Sequence, residues 1–267
     1  MRKFGLIGFP LTHSFSRKYF TEKFEREGIS DCQYDLFEMA DVAESLPGLL
    51  QTPGLCGLNV TIPHKQAVLP FLSRLDNSAE KVGAVNVIRL ETDGSLTGFN
   101  SDYYGFRQSL EEWFLKEEEE KGGREERDSK AHSHSSFSCS KALVLGTGGA
   151  SKAVVAALKD LHIPHKMVSR TKTADNLTYN ELPGQLVDYR LIVNCSPVGT
   201  YPRVDEAPAL PYEELTAHHW LYDLVYNPAE TLFMRRGLER GAHVLNGHRM
   251  LVLQAEKAWE IWQGSYR

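Results

Sequence analysis

The stretch that most constrains this chain is ALVLGTGGAS, residues 142–151. Four apolar residues in a row suit a strand buried on both faces. A glycine-rich turn follows, and the Ala/Val-rich run from Lys152 to Leu161 predicts a helix. A strand, then G-x-G-x-x-small, then a helix lets the backbone turn tightly and approach a pyrophosphate, which sits on the positive helix end. Gly146, Thr147, Gly148, Gly149 and Ala150 are therefore candidate cofactor-binding residues. Alone the motif is weak, because glycine-rich turns without a ligand look the same. The flanking strand and helix strengthen it.

The next predicted strand, 164–168, ends in Ser169, Arg170, Thr171 and Lys172. An NAD site usually places Asp or Glu here for the ribose 2′-hydroxyl. Hydroxyls and a guanidinium suit a 2′-phosphate instead, so NADP is the expected cofactor. A solvated strand end carrying Arg170 and Lys172 is the plainer alternative. Further strands are predicted at 191–193, 220–224 and 243–245, with helices at 230–240 and about 247–262. Residues 171–190 are too few for a full helix–strand–helix passage. The nucleotide domain is expected to lack a helix there.

The N-terminal part alternates in the same way. Strands are predicted at 4–8, 33–39 and 55–60. Helices are predicted after Ser14, at 41–50 and from about Pro63, since Pro is tolerated in a first turn. Residues 85–90 and 95–99 flank Thr92-Asp93-Gly94, a hairpin turn signal. The fold class is α/β: a mixed-sheet N-terminal domain plus a Rossmann-like, shortened nucleotide domain. The expected division is 1–103 with 248–267, and 104–247. A helix over 102–116 leads into a charged, Gly- and Ser-containing linker at about 117–141.

Composition excludes several classes. The chain has 267 residues, 42% hydrophobic and 24% charged, with a net charge of −5. No basic surface invites nucleic acid or anionic membrane. No apolar run approaches the length of a membrane span. Pro10 and His13 interrupt the N-terminal apolar residues too early for a signal peptide. Cys32, Cys56, Cys139 and Cys195 are scattered, which fits a reducing cytoplasm rather than a disulfide framework. His132 and His134 lack accompanying carboxylates or thiols, so no metal site is expected.

Residues 59–65 read NVTIPHK, with a single lysine after a strand end. By itself Lys65 would pass for a surface residue. It belongs, however, to a series: Ser14-Phe15-Ser16, NVTIPHK, Gly83-Ala84-Val85-Asn86, Asn100-Ser101-Asp102 and the glycine turn. Asn194-Cys195-Ser196-Pro197, Asp223-Leu224-Val225-Tyr226-Asn227-Pro228 and Met250 to Ala255 follow. In order and spacing the series resembles the shikimate dehydrogenase family over nearly the whole chain outside the linker.

The resemblance implies NADPH-dependent reduction of 3-dehydroshikimate to shikimate, on the route to aromatic amino acids. It implies two α/β domains with a cleft between them, and a monomer or homodimer. Ser14 and Ser16 would bind the substrate carboxylate beside a positive helix end. Plain N-capping is their other reading. Asn59, Thr61, Asn86, Asp102 and Gln254 would serve ring hydroxyls, and Tyr226 would lie near ring and nicotinamide. Tyr226 could equally be a buried strand-end tyrosine. Lys65 would be the general acid/base with Asp102 beside it. Ser169, Arg170, Thr171 and Gly247 would contact the cofactor.

The sequence departs from the family pattern in places. Ser101 and Ser169 are mild replacements that keep a hydrogen-bonding group. Arg249 stands where the family's G-x-G-M-L has its second glycine, so no binding role is carried onto it. A broader quinate/shikimate dehydrogenase and a catalytically idle shikimate-binding sensor are the competing readings.

Overall fold

In the computed structural model, residues 1–11, 14–121 and 141–264 are described. Most of the expected linker, with His132, His134 and Cys139, lies outside them. The chain folds as two compact units, Met1–Gly105 with Val252–Arg267, and Phe106–Leu251.

The first unit holds a six-stranded mixed sheet. Its strands are β1 (Arg2–Gly8), β2 (Cys32–Glu38), β3 (Leu55–Val60), β4 (Arg74–Leu75), β5 (Val87–Leu90) and β6 (Leu96–Phe99), in the order β2-β1-β3-β5-β6-β4. β1 runs parallel to β2 and β3, whereas β5 is antiparallel to β3 and β6. The β5–β6 turn is the hairpin expected from Thr92-Asp93-Gly94, with Gly94 at φ 82°. The helices are α1 (Phe15–Arg26), α2 (Val42–Leu49) and α3 (Asn77–Val82). Asp41 caps α2 and Asp76 caps α3 through side-chain oxygens on backbone N–H groups, the usual remedy for unpaired first-turn donors.

The core of this unit closes on the last helix, α7 (His248–Trp262). Trp262 stacks on Phe4 at 4.8 Å and donates its indole N–H to the Ile88 carbonyl at 3.1 Å. Gly57 is required there, because a Cβ would lie 2.2 Å from the Trp262 ring.

One element differs from expectation. Residues 62–68 form successive turns, followed by a 3-10 turn at Leu69–Phe71, and not a helix from Pro63. In a helix the Lys65 carbonyl would accept from Leu69 N–H. Here Val85 N–H takes that carbonyl at 2.8 Å, Leu69 turns back to Gln66, and Pro70 has no N–H to give. A tertiary bond thus overrides the local helical preference.

The second unit is a fully parallel sheet of β7 (Lys141–Leu145), β8 (His165–Ser169), β9 (Asn176–Thr178), β10 (Tyr189–Asn194), β11 (Trp220–Asp223) and β12 (His243–Asn246). Its order, β12-β11-β10-β7-β8-β9, is the doubly wound one with the switch point between β7 and β10. The helices are α4 (Ser101–Lys121), which begins in the first unit, α5 (Gly149–Asp160) and α6 (Leu232–Leu238). α4 runs five residues beyond the expected 116. Two 3-10 turns, Tyr179–Glu181 and Leu186–Asp188, stand between β9 and β10, so this passage lacks an α-helix as its length foretells.

Candidate active site

In the first unit Lys65 pairs with Asp102, and Asn59 and Asn86 are linked by a hydrogen bond. The Lys65 ammonium lies 2.6 Å from Oδ2 of Asp102, with side-chain exposures of 22% and 8%. Asp102 opens α4, whose start is fixed by Asn100 and Asn86. Asn100 Oδ1 accepts from Tyr103 N–H at 3.0 Å. Asn86 Oδ1 accepts from Ser101 N–H at 2.6 Å and its Nδ2 donates to Ser101 Oγ at 3.1 Å. Buried Asn86 therefore commits most of its amide to holding the helix that carries Asp102. On the other side, Val85 N–H holds the Lys65 carbonyl. Lysine and carboxylate are thus both anchored through Val85-Asn86.

Asn59 lies near the end of β3 and donates Nδ2 to the Asn86 carbonyl at 3.3 Å. Its Oδ1 accepts from the Tyr34 hydroxyl at 2.7 Å. Thr61, two residues on, shares that face by strand alternation and is half-buried. Ser14 is the N-cap of α1, accepting from Arg17 N–H at 3.2 Å. Ser16 interacts with the Tyr34 hydroxyl, whose ionisation burial pushes well above the ordinary tyrosine range. Gln254 is half-buried on α7.

Tyr34 is the residue that sequence reading misses. It joins Ser16 to Asn59 from strand β2, a place where alternating apolar residues give no sign of a polar task.

In the second unit, the glycine turn stands at the switch point. Gly146 has φ 104°, and a Cβ there would come within 3.3 Å of Ser196 N. Gly148 caps α5 without a side-chain bond, and an added Cβ at Gly148 or Gly149 meets nothing within 4 Å. A cavity of about 900 Å³ opens beside this turn, lined among others by Thr147, Ser169, Arg170, Ser196 and Arg236. A second cavity of about 480 Å³ shares Thr147, Ser169 and Arg170, and adds Thr171 and Asp175. Ala150 is half-buried in the first turn of α5. Open space over glycines, a helix start and an exposed guanidinium fit a phosphorylated dinucleotide.

Lys172 is a different matter: it pairs with Glu181 at 2.6 Å, which holds the Glu181 carboxyl down at about 2. Tyr226 is 41% exposed, so it is not the buried strand-end tyrosine of the plainer reading. Gly247 is tightly enclosed, since a Cβ would lie 2.2 Å from the Leu224 carbonyl oxygen. Arg249 is held by both carboxylate oxygens of Glu112, at 2.7 and 2.9 Å.

A doubly wound sheet with a phosphate-type turn, alongside a separate α/β unit bearing a lysine–carboxylate pair, defines a dinucleotide-dependent oxidoreductase with its own substrate domain. Residues 6–88 match the model of the shikimate dehydrogenase substrate binding domain. The chain is 34% identical to the shikimate dehydrogenase (NADP(+)) of Geobacillus kaustophilus, over 98% of this chain and 93% of that protein. It is also similar to the crystal structure of a chorismate mutase/shikimate 5-dehydrogenase fusion protein from Clostridium acetobutylicum. There the TM-score is 0.82 and the identity 33%, over 99% of this chain and 91% of that one. The Thermus thermophilus shikimate 5-dehydrogenase, solved with NADP(H) and shikimate, gives a TM-score of 0.77 at 30% identity, over 99% and 94% of the two chains. The chain belongs to the shikimate dehydrogenase family.

Proposed function

We propose that this protein catalyses the reversible NADPH-dependent reduction of 3-dehydroshikimate to shikimate. The observation that carries this reading is the 2.6 Å Lys65–Asp102 pair, anchored beside Asn59 and Asn86 in the first unit. When bound, NADPH supplies the hydride for the carbonyl carbon. The residues suited to hold it are Gly146 to Ala150 for the pyrophosphate, with Ser169, Arg170 and Thr171 for the 2′-phosphate.

Reduction places negative charge on the carbonyl oxygen. Lys65 gives that oxygen a proton as the charge develops, and in the oxidation direction its amine takes the proton from the alcohol. Asp102 holds the ammonium in place and accepts from the same hydroxyl. The partial exposure of Lys65 lets it exchange its proton with water. Ser14 accepts Arg17 N–H through its oxygen, which leaves its O–H free to donate to the substrate carboxylate beside the start of α1. Ser16, whose O–H meets the Tyr34 oxygen, turns that O–H to the same carboxylate when substrate binds. Asn59, Thr61 and Gln254 serve the ring hydroxyls, Asn86 chiefly positions Asp102, and Tyr226 approaches the ring. Gly247 packs against the Leu224 carbonyl at the start of α7. A site built to hydrogen-bond hydroxyls discriminates strongly, since an analogue lacking one leaves buried groups unpaired.

The domain assignment follows: substrate on 1–103 with 248–267, cofactor on 104–247. Free Cys32, Cys56 and Cys195 support a reducing cytoplasmic setting. Light scattering on the purified protein tests the expected monomer or homodimer. The activity test is an absorbance assay with shikimate or quinate and NADP+ or NAD+. Formation of reduced NADP with shikimate supports the proposal. Equal turnover of quinate selects the broader dehydrogenase, and no reduction at all selects the idle binder.

A further inference from the structure

We propose that Asp223 is a positioning residue of the cofactor site: its carboxylate dictates which way the Asn194 amide faces, and Asn194 thereby sets the Ser196–Val198 turn. This rests on the dinucleotide reading above and deepens it.

Asp223 ends β11 and Asn194 ends β10, and the two are directly paired across the sheet. Both are fully buried, as is Thr231. Asp223 Oδ1 accepts from Asn194 Nδ2 at 2.9 Å and from Val225 N–H at 3.0 Å. Oδ2 accepts from Thr231 Oγ1 at 2.6 Å. An ionised carboxylate can only accept. Asn194 must therefore turn its NH₂ group toward Asp223 and its Oδ1 away from it. That Oδ1 accepts from Ser196 N–H at 3.0 Å and from Ser196 Oγ at 2.6 Å. A flipped amide would set its oxygen against the Asp223 carboxylate and the Val198 carbonyl, which Nδ2 reaches at 3.4 Å, and its NH₂ against the Ser196 N–H.

The polarity imposed at Asp223 thus reaches the cavity wall in two steps. Ser196, Pro197 and Val198 line the cavity together with Gly146 and Gly148. Ser196 N stands only 3.3 Å from where a Gly146 Cβ would be, so the turn and the glycine loop are set against each other. Among the described residues no Lys, Arg or His forms an ion pair with Asp223. The titratable groups that feel its charge are the Cys195 thiol, just after β10, and the Tyr212 hydroxyl from the segment before β11. Burial without a counter-charge pushes the carboxyl up to about 6. Plain packing of a strand end requires no such charge.

The experiment titrates NADP+ into the full chain and follows tryptophan fluorescence, for wild type, Asp223→Ala and Asp223→Asn. Asp223→Ala removes the acceptor and is expected to raise the Kd for NADP+ about tenfold, with faster hydrogen exchange at the amides of residues 196 and 198. Asp223→Asn keeps an oxygen for Asn194 and Val225, so Kd is expected to stay within about threefold of wild type. The KM for shikimate is expected to move less than about twofold in both. A folded Asp223→Ala with wild-type NADP+ affinity overturns the inference, as does an Asn variant that fails equally. If Asp223→Ala does not fold, Asn194→Ala decides: an unchanged Kd for NADP+ overturns the inference, since Asn194 is the carboxylate's route to the turn, and a Kd raised about tenfold supports it. A wild type that does not bind NADP+ overturns the reading of the site itself.

Discussion

Lys65 and Asp102 meet at 2.6 Å although 37 residues separate them, and neither is held by its own element alone. The Lys65 carbonyl is tied to Val85 N–H, and the helix start bearing Asp102 is tied to the Asn86 amide. Adjacent residues therefore position both partners of the pair. Lys65→Ala is expected to lower kcat by roughly 10²–10⁴-fold, the span for a lost acid/base, with KM for shikimate much less changed. Steady-state kinetics with near-normal turnover would remove Lys65 from the mechanism.

Tyr34 gives a second prediction, from a residue with no role in the chemistry itself. Its buried hydroxyl donates to Asn59 Oδ1 and contacts Ser16. Tyr34→Phe leaves that Oδ1 without its donor and frees the Asn59 amide to turn. The expected cost is about 1–2 kcal/mol of stability. KM for shikimate should rise severalfold, with a smaller change in kcat. An unchanged KM would show that Asn59 needs no such partner.

These two cases mark what the sequence reveals. The glycine turn, the hairpin at Thr92-Asp93-Gly94 and the helix missing after Thr171 are all legible, because they rest on local geometry and chain length. The segment after Pro63 is not, since Val85 arrives from twenty residues away to take a carbonyl that a helix would use. Lys65 and Asp102 stand out through a resemblance rather than through spacing. Tyr34 and Asp223 escape assignment for a common reason. Each acts through a neighbour on another strand, and strand order is not written in any one segment.

Arg170 and Lys172 look equivalent in the sequence but differ in the structure. Arg170 lines both cavities, whereas Lys172 is engaged by Glu181. Arg170→Ala is expected to raise the Kd for NADP+ by about tenfold to a hundredfold, with little effect on NAD+, as expected for a lost charge-assisted phosphate contact. Lys172→Ala should change it by less than about threefold, because its charge is already engaged. Equal losses in the two variants, measured by fluorescence titration, would contradict this division.

Two glycines separate binding from folding. Gly148 has φ −76° and open space where a Cβ would go. Gly148→Ala is expected to leave stability within about 0.5 kcal/mol while weakening NADP+ binding about tenfold, since the methyl occupies room kept for the phosphates. Gly247→Ala would press a methyl on the Leu224 carbonyl and should destabilise by about 2 kcal/mol or more. Chemical denaturation together with NADP+ titration distinguishes the two effects. A Gly148→Ala protein with full NADP+ affinity would count against the phosphate turn.

The Asp223 carboxyl, raised from 3.8 to about 6 chiefly by burial, makes stability depend on pH in an unusual direction. Most native carboxyls bind protons more weakly than they do in the unfolded chain, and stability falls in acid. Here the native state binds the proton more tightly. Between about pH 4 and 6 the folded chain keeps a proton that the unfolded chain has lost, so this group's contribution declines as pH rises. The decline ends above about pH 6 at about 3 kcal/mol, from a shift of about two pH units. Asp223→Asn abolishes the titration and keeps the main acceptor. Its stability relative to wild type should therefore climb from about pH 4.5 to about pH 7, whatever fixed offset the lost bond to Thr231 adds. Other groups titrate alike in both proteins and cancel in the difference. Urea unfolding at a series of pH values measures that difference, and a flat line would mean the carboxylate bears no penalty from its burial.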